Sequence, residues 1–292
     1  ITGFANVTAN LGKLRNKGLE LTLNANIFKQ DNFEWSASST FSMNRRKIVT
    51  LYGDMENVLD NEGNVIGEKE SDDPTNGWFI GQDPDRIWAY ERLGVWQLGE
   101  EEQAAIYGCK PGDFKYKDQN GDGVMNTEDK VFQGYKTPRY RWSMRNDFTI
   151  HKNFTVSFTM YSYFGHYGAF NEAANYNGGS PYKFSSYDLP RWTKDNPTND
   201  YARISSYNAG TNWVKKSFLR LDNVSVSYNL PKSFLRKFAI QNMRLTLTAR
   251  NVAVLSPHWT FWDPENGSLS PRSFNLGINL SLIHISEPTR PY

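Results

Sequence analysis

The 292-residue sequence has one cysteine, Cys109, and four histidines. A lone thiol excludes an internal disulfide framework and any cysteine-rich zinc site. The scattered imidazoles offer no histidine-based metal centre. Charge of one sign is lacking too, since 33 Lys and Arg face 31 Asp and Glu for a formal charge of +2. Nothing in that balance calls for nucleic acid or another polyanion as partner. Runs of roughly eighteen apolar residues are missing, so no transmembrane helix is expected. Gly-x-Ser-x-Gly, Walker and His-Glu-x-x-His motifs are missing as well, and with them the common signatures of a hydrolase, an NTPase or a zinc protease. Hydrophobic residues make up only 38% of the chain, yet aromatics reach 15%. That pairing is odd for a soluble core. It suits a membrane β-barrel, in which half of each strand faces water and aromatics gather at the two interfaces.

What is present in quantity is alternation. Leu19, Leu21, Leu23, Ala25 and Ile27 are apolar, and Glu20, Thr22, Asn24 and Asn26 between them are polar. After the polar turn 29–32 the pattern resumes, with Phe33, Trp35, Ala37, Phe41 and Met43 against Glu34, Ser36, Ser38, Thr40 and Ser42. Two such segments joined by a short polar link predict a hairpin. The unit returns at 140–150 and 154–160 around the turn 151–153, and again at 218–229, 242–252 and 273–282. Each segment is near the roughly 9–11 residues that cross a membrane at a tilt. The fold class read from this is all-β: an antiparallel transmembrane β-barrel segment of seven to nine strands.

The links carry their own signal. Short ones (29–32, 151–153, about 230–241) alternate with long ones (47–138, 165–217, 253–272). Outer-membrane barrels have short periplasmic turns and long extracellular loops. Parity then allows zero or two further spanning strands within 47–138, with 78–98 the stretch to supply them. A closed barrel of eight strands is a variant that the strand number nearly permits. The competing architecture is a soluble β-sandwich or β-helix, which also alternates. In functional terms the rival is a β-rich cell-surface glycan-binding module, whose apolar faces a second sheet would bury.

One stretch bears ligand chemistry. Residues 118–129 match a calcium loop of EF-hand type, with Asp118, Asn120 and Asp122 at positions 1, 3 and 5. Gly123 permits the sharp turn at position 6, the Val124 carbonyl stands at position 7, and Asp129 takes position 12 in place of the usual Glu. The plain alternative is that Asn-Gly-Asp-Gly makes only a tight turn. No flanking helices are evident, so the predicted role is a structural Ca²⁺ clip in an extracellular loop. Glu100, Glu101 and Glu102 read as a solvated loop or helix start. Asp83-Pro84-Asp85 and Asp263-Pro264-Glu265 read as turns, because no base or nucleophile accompanies them. Loop aromatics (Trp78, Trp88, Trp96, Tyr167, Tyr176, Tyr182, Trp192, Trp213, Trp259, Trp262) are candidates for stacking on sugar rings. The competing role for each is to hold the loops together.

Taken together, several stretches resemble the C-terminal barrel of SusC/RagA-family TonB-dependent transporters from Bacteroidetes. They are Asn16-Lys17-Gly18-Leu19-Glu20-Leu21, Phe33-Glu34-Trp35, Gly94-Val95-Trp96-Gln97, and Pro111-Gly112-Asp113-Phe114 running into the 118–123 loop. Phe218-Leu219-Arg220-Leu221-Asp222-Asn223-Val224, Tyr228-Asn229-Leu230-Pro231, Arg250-Asn251-Val252 and Asp263-Pro264-Glu265 follow. The resemblance covers about residues 11 to 279. It implies the last strands of a barrel of roughly 22, plugged as large outer-membrane transporters are. It further implies import of oligosaccharides or peptides across the outer membrane, TonB as the energy source, and a SusD-like lipoprotein as lid. No covalent chemistry and no nucleic-acid partner belong to that reading. Lipid contact falls to the odd-numbered face of residues 19–27 and 33–43. The chain starts at Ile1 without an initiator Met, and 1–279 is read as the C-terminal part of a longer receptor. Residues 280–292 resemble a translated sequencing adapter, so Leu282 stands where the family ends on an aromatic.

Overall fold

The computed structural model describes residues 12–170, 189–204 and 212–282. The chain divides into two compact units: Gly18–Met43, Pro138–Phe164 and Lys216–Tyr292 form one, and Ile1–Lys17, Asn44–Thr137 and Gly165–Lys215 the other. Seven strands build the main sheet: β1 (Lys13–Gln30), β2 (Phe33–Thr50), β3 (Tyr140–Ile150), β4 (Phe154–Phe164), β5 (Phe218–Asn229), β6 (Ile240–Leu255) and β7 (Ser273–Leu282). Their order across the sheet is their order in the sequence. This is an up-and-down antiparallel meander, the wall topology of a barrel.

β3 pairs directly with β2, so 47–138 inserts no spanning strand. Parity is met with zero. The stretch that could have supplied them, 78–98, holds the short strands Arg86–Tyr90 and Arg92–Val95, paired with Lys130–Tyr135 and Phe114–Tyr116. Strands of that length fall short of a membrane's thickness. β1 and β2 reach 18 residues each, well past the predicted length. β7 continues through Leu282, which pairs with Ile240, because Leu280-Ser281-Leu282 keeps the alternation going. The rest of the expected adapter segment, 283–292, lies outside the described residues.

Register puts the alternating residues of all these strands on two chemically distinct faces. Along one face run the rows Phe33–Ile150–Phe154, Trp35–Phe148–Val156 and Val226–Leu247–Leu276. Trp35 stacks on Phe148, Phe148 on Phe158, and Tyr140 on both Phe41 and Phe164. On the opposite face lie Ser36–Asp147–Ser157–Ser225–Thr248–Asn275 and Ser227–Thr246–Gly277. Hydroxyl pairs link it across strands, Ser225 to Thr248 at 3.2 Å and Ser227 to Thr246 at 3.1 Å. Arg145 and Asp147 form a bidentate pair on the same side.

Polar residues interrupt the apolar face at Ser39, Asn146 and Ser162, and every one of them is satisfied inside the sheet. Ser39 Oγ accepts from the Trp142 indole and donates to the Ser143 carbonyl. Asn146, buried, accepts from Trp35 Nε1 at 3.1 Å. Ser162 Oγ donates to the Phe218 carbonyl at 2.7 Å. A face turned toward hydrocarbon needs this internal closure, since lipid offers no hydrogen bonds. Asn146→Ala should therefore cost about 1–3 kcal/mol by leaving the Trp35 N–H unmatched. The double variant Asn146→Leu/Trp35→Phe should recover most of that loss. Equal losses in the single and double variants, measured by denaturant unfolding, would contradict the assignment.

The second unit is loop-derived. It contains the hairpin Met55–Leu59/Val65–Glu70, the two short pairs above, the helix Glu101–Ile106 and the pair Tyr167–Ala169/Trp213–Lys215. Its buried groups are small: Val95, Phe114, Trp192 and Ala202 in one, Trp96, Ala104 and Cys109 in the other.

Candidate functional site

The predicted calcium loop hangs from a rigid clasp, and the clasp explains the sequence around it. Gly112 has φ +91, and a Cβ there would lie 2.5 Å from Trp192 Cε3 and 2.8 Å from Arg203 Cδ. Only glycine allows that approach. Asp113, almost fully buried, accepts from the Lys110 N–H and from Arg203 Nε, both at 2.9 Å. Trp192 Nε1 donates to Gln97 Oε1 at 2.8 Å, and Gln97 Nε2 reaches Asn199 Oδ1 and the Val95 carbonyl. The Gly94-Val95-Trp96-Gln97 and Pro111-Gly112-Asp113 stretches thus grip 192–203 from two sides. Tyr116, packed against this core, is pushed up to about 12 by burial. Gly112→Ala should destabilise the clasp by about 1–3 kcal/mol through forced overpacking. Faster proteolytic cutting within 189–204 is the readout, with Gly63→Ala as an open-space control.

The loop itself is closed by its own carboxylates. Asp118 accepts from Gly121 N at 2.6 Å and Gly123 N at 2.8 Å, and the Tyr107 hydroxyl donates to it at 3.2 Å. These hydrogen bonds, the Gly123 one foremost, hold the Asp118 carboxyl below its ordinary range. Asn120 Oδ1 accepts from Asp122 N, and Asp122 Oδ1 accepts from Val124 N. Gly123 has φ +78, as the turn at position 6 requires. Asp118, Asn120 and Asp122 therefore stand on one turn.

Asp129 is placed differently. It is fully buried, and its two oxygens accept from Gln119 N and Asn126 N. With Asn126 it forms a capping box on the single turn Thr127–Asp129. Glu128, next to it, reaches Asn120 Nδ2 at 3.1 Å. Among the described residues, no group of three or more His, Cys, Asp or Glu converges as a metal site.

The remaining candidates resolve into structure. Glu100 precedes the helix Glu101–Ile106, accepting from Gln97 N and pairing with Lys115 at 2.7 Å. Asp83 accepts from Asp85 N in a turn, and Asp85 pairs with Arg46. Trp96, Trp192 and Trp259 are buried loop anchors. Trp78, Trp88, Trp213 and Trp262 keep partial or greater exposure, as does Tyr167. Tyr176 and Tyr182 lie outside the described residues.

Sequence reading missed the strongest polar cluster. Arg220 on β5 is almost wholly buried and clamps Asp263 with two 2.7 Å bonds. It also donates to Asn251 Oδ1. Asn251 adopts φ 52 and donates to the carbonyls of Ser270 and Pro271. Tyr161 donates to Glu265 at 2.6 Å, and Glu265 lies 3.6 Å from Arg220 Nε. Burial alone would lift the Asp263 carboxyl, but Arg220 and the N–H groups of Glu265 and Asn266 hold it below the usual range. Three separately recognised stretches, around Arg220, Asn251 and Asp263, thus meet at one point. The available signal was an arginine on the face of a strand, followed by a turn carboxylate after the next strand.

A sequential antiparallel meander, apolar on one face and rich in hydroxyls and amides on the other, defines a class: the wall of an antiparallel β-barrel. The TonB-dependent receptor P26 of Formosa agariphila is 28% identical over 315 residues, 96% of this chain and 30% of that protein. The TonB-dependent receptor SusC of Bacteroides thetaiotaomicron is 22% identical over 95% of this chain and 27% of its own length. A solved structure of the RagAB peptide transporter matches with a TM-score of 0.65 at 20% identity, covering 96% of this chain and 30% of that one. No family model matches. The chain is similar to curated TonB-dependent receptors, SusC among them, and it spans about 30% of the length of the relative P26. These relatives are receptors and transporters, not enzymes.

Proposed function

We propose that this chain is the C-terminal part of the wall of a SusC/RagA-type transporter in the outer membrane. The whole protein imports oligosaccharides or peptides, draws energy through TonB, and works with a SusD-like lipoprotein. The observation that carries this reading is the two-faced sheet. Its apolar side leaves Leu19, Leu21, Leu23, Leu247, Leu276 and Ile278 exposed, at 46% or more for every residue from Leu19 to Ile27 in that row that is large and hydrophobic. Lipid is the solvent such a face fits. A soluble glycan-binding module would bury the same residues under a second sheet, whereas here they are exposed. The test is fractionation and uptake. The full-length receptor should sediment with outer membranes and need detergent, and its deletion should abolish import of one oligosaccharide or peptide class. Recovery of the receptor as a soluble protein would sink the reading.

The 118–129 loop is proposed to hold a structural Ca²⁺ through Asp118, Asn120, Asp122, the Val124 carbonyl and Asp129. Hard oxygen donors at these spacings support it, together with the shared turn of Asp118, Asn120 and Asp122. In this assignment Asp129 also keeps the loop base closed through its backbone bonds. Millimolar Ca²⁺ should slow proteolysis of the loop in the full-length receptor, and Asp118→Asn/Asp122→Asn should abolish that protection. No protection at 10-fold higher Ca²⁺ would reduce the loop to a turn. The pH response has a defined sign. Asp118 is depressed in the folded state, so its contribution is complete above the unfolded carboxylate value of about 3.9. It disappears as pH falls through the lower folded value.

A further inference from the structure

The short turn between β5 and β6 stands apart in charge. Residues 223–262 hold five Lys and Arg and no Asp or Glu, and three of the five, Lys232, Arg236 and Lys237, crowd this one turn. All three are exposed, and none pairs with a carboxylate among the described residues. The link 47–138, which joins the opposite ends of β2 and β3, has nine Lys and Arg against nineteen Asp and Glu. The two connections thus differ in the sign of their charge.

The same turn presents apolar surface on a fixed frame. It packs on β6 and buries Leu235, which is 1% exposed, and the Leu230 N–H donates to the Met243 carbonyl at 3.0 Å. Ala239, at φ 56, ends the helical turn and returns the chain to β6. Phe234 and Phe238 are left 50% and 61% exposed, with ring centroids 5.4 Å apart. They follow directly on a cross-strand row, Phe33–Ile150–Phe154–Tyr228–Leu245–Ile278, that runs along the short-turn end of the apolar face. Exposed rings beside exposed cations, at the rim of such a row, match the two layers of a membrane interface, acyl chains and then phosphates.

We propose that the 231–239 turn is a contact for anionic phospholipid headgroups, with Lys232, Arg236 and Lys237 on the phosphates and Phe234 and Phe238 among the upper acyl chains. The proposal rests on the membrane-wall reading above, under which the short turns face the periplasm and the inner leaflet. It goes beyond that reading by giving one turn a preference for lipid charge.

The experiment is native mass spectrometry of the full-length receptor in detergent, titrated with phosphatidylglycerol and, for comparison, phosphatidylcholine. Phosphatidylglycerol should be retained at about tenfold lower concentration than phosphatidylcholine, well within what three cations near a surface allow. Lys232→Gln/Arg236→Gln/Lys237→Gln should bring that ratio to about twofold or less. Phe234→Ser/Phe238→Ser should weaken both lipids and keep most of the ratio. Arg244→Gln/Arg250→Gln, which removes two cations from the polar face, should leave the ratio unchanged. All these side chains are exposed, and heat-modifiable mobility on gels checks that each variant folds. Equal retention of the two lipids by the unmodified receptor, or a ratio that survives the triple variant, would overturn the proposal and leave the cations to an acidic protein partner. An equal loss in Arg244→Gln/Arg250→Gln would overturn it too, by assigning the preference to net charge. Displacement of the lipid by glycerophosphoglycerol alone would do the same, by showing a soluble-anion site. The two readings fail separately. A receptor that sediments with outer membranes yet ignores lipid charge keeps the wall and loses this contact.

Discussion

Replacing Arg220 with Ala is expected to destabilise the β5–β7 end of the sheet by about 3–5 kcal/mol, the range for breaking one side of a buried ion pair. The size follows from what is left behind. Arg220 and Asp263 side chains are 4% and 6% exposed, so the abandoned carboxylate cannot be rehydrated without opening the loop. Asn251 Oδ1 and Glu265 lose their cation at the same time. The rings of Phe218 and Tyr161, 5.5 and 5.9 Å from the guanidinium, lose a cation–π partner. Asp263→Ala should cost less, because Arg220 then keeps Asn251, Glu265 and both rings. That asymmetry is the distinctive outcome. Denaturant unfolding of the full-length receptor, with proteolysis at 256–272 as the local readout, measures it. Equal losses for the two variants would mean that the pair acts alone and the surrounding groups contribute nothing.

The pH dependence of the same cluster has the opposite trigger from removal of the arginine but the same endpoint. Asp263 is depressed in the folded state, so its stabilisation is complete above about pH 3.9, the unfolded value. It is lost as pH falls through the lower folded value. Arg220→Ala removes that acid sensitivity along with the stability.

How far the fold was legible depended on period. Alternation with a period of two survives any tertiary context, because a one-residue slip would turn every side chain to the wrong face. That is why 140–150, 218–229 and 273–282 match β3, β5 and β7. The interruptions were opaque. Ser39 and Asn146 look like errors in an apolar face until register brings Trp142 and Trp35 to them. Loop architecture was harder still. Gly112 gains its meaning from Trp192, eighty residues away in sequence, and no local pattern announces that contact. The Asp118 loop announced itself because its partners are local. Arg220 did not, because Asn251 reaches it from β6 and Asp263 from the loop beyond that strand.

Leu247→Arg is the companion test of the sheet's environment, and its expected cost is about 2–4 kcal/mol, the penalty for arginine near the middle of a lipid-facing strand. Leu247 lies in mid-β6, paired to Val226 and Leu276, and is 52% exposed in this structure. In water an arginine at an exposed position would be nearly neutral, so the penalty exists only if lipid covers that face. Thr246→Arg, one residue away, supplies the control. Its side chain joins the hydroxyl row with Ser227 and has polar neighbours such as Arg244 and Thr248. Refolding of the full-length receptor into lipid vesicles should therefore separate the two adjacent variants by about 2 kcal/mol or more. In detergent-solubilised receptor, where the belt thins and adapts, the gap should shrink. A tolerated Leu247→Arg beside a damaging Thr246→Arg would exchange the two faces and place the polar side outward, a geometry that no barrel in hydrocarbon sustains.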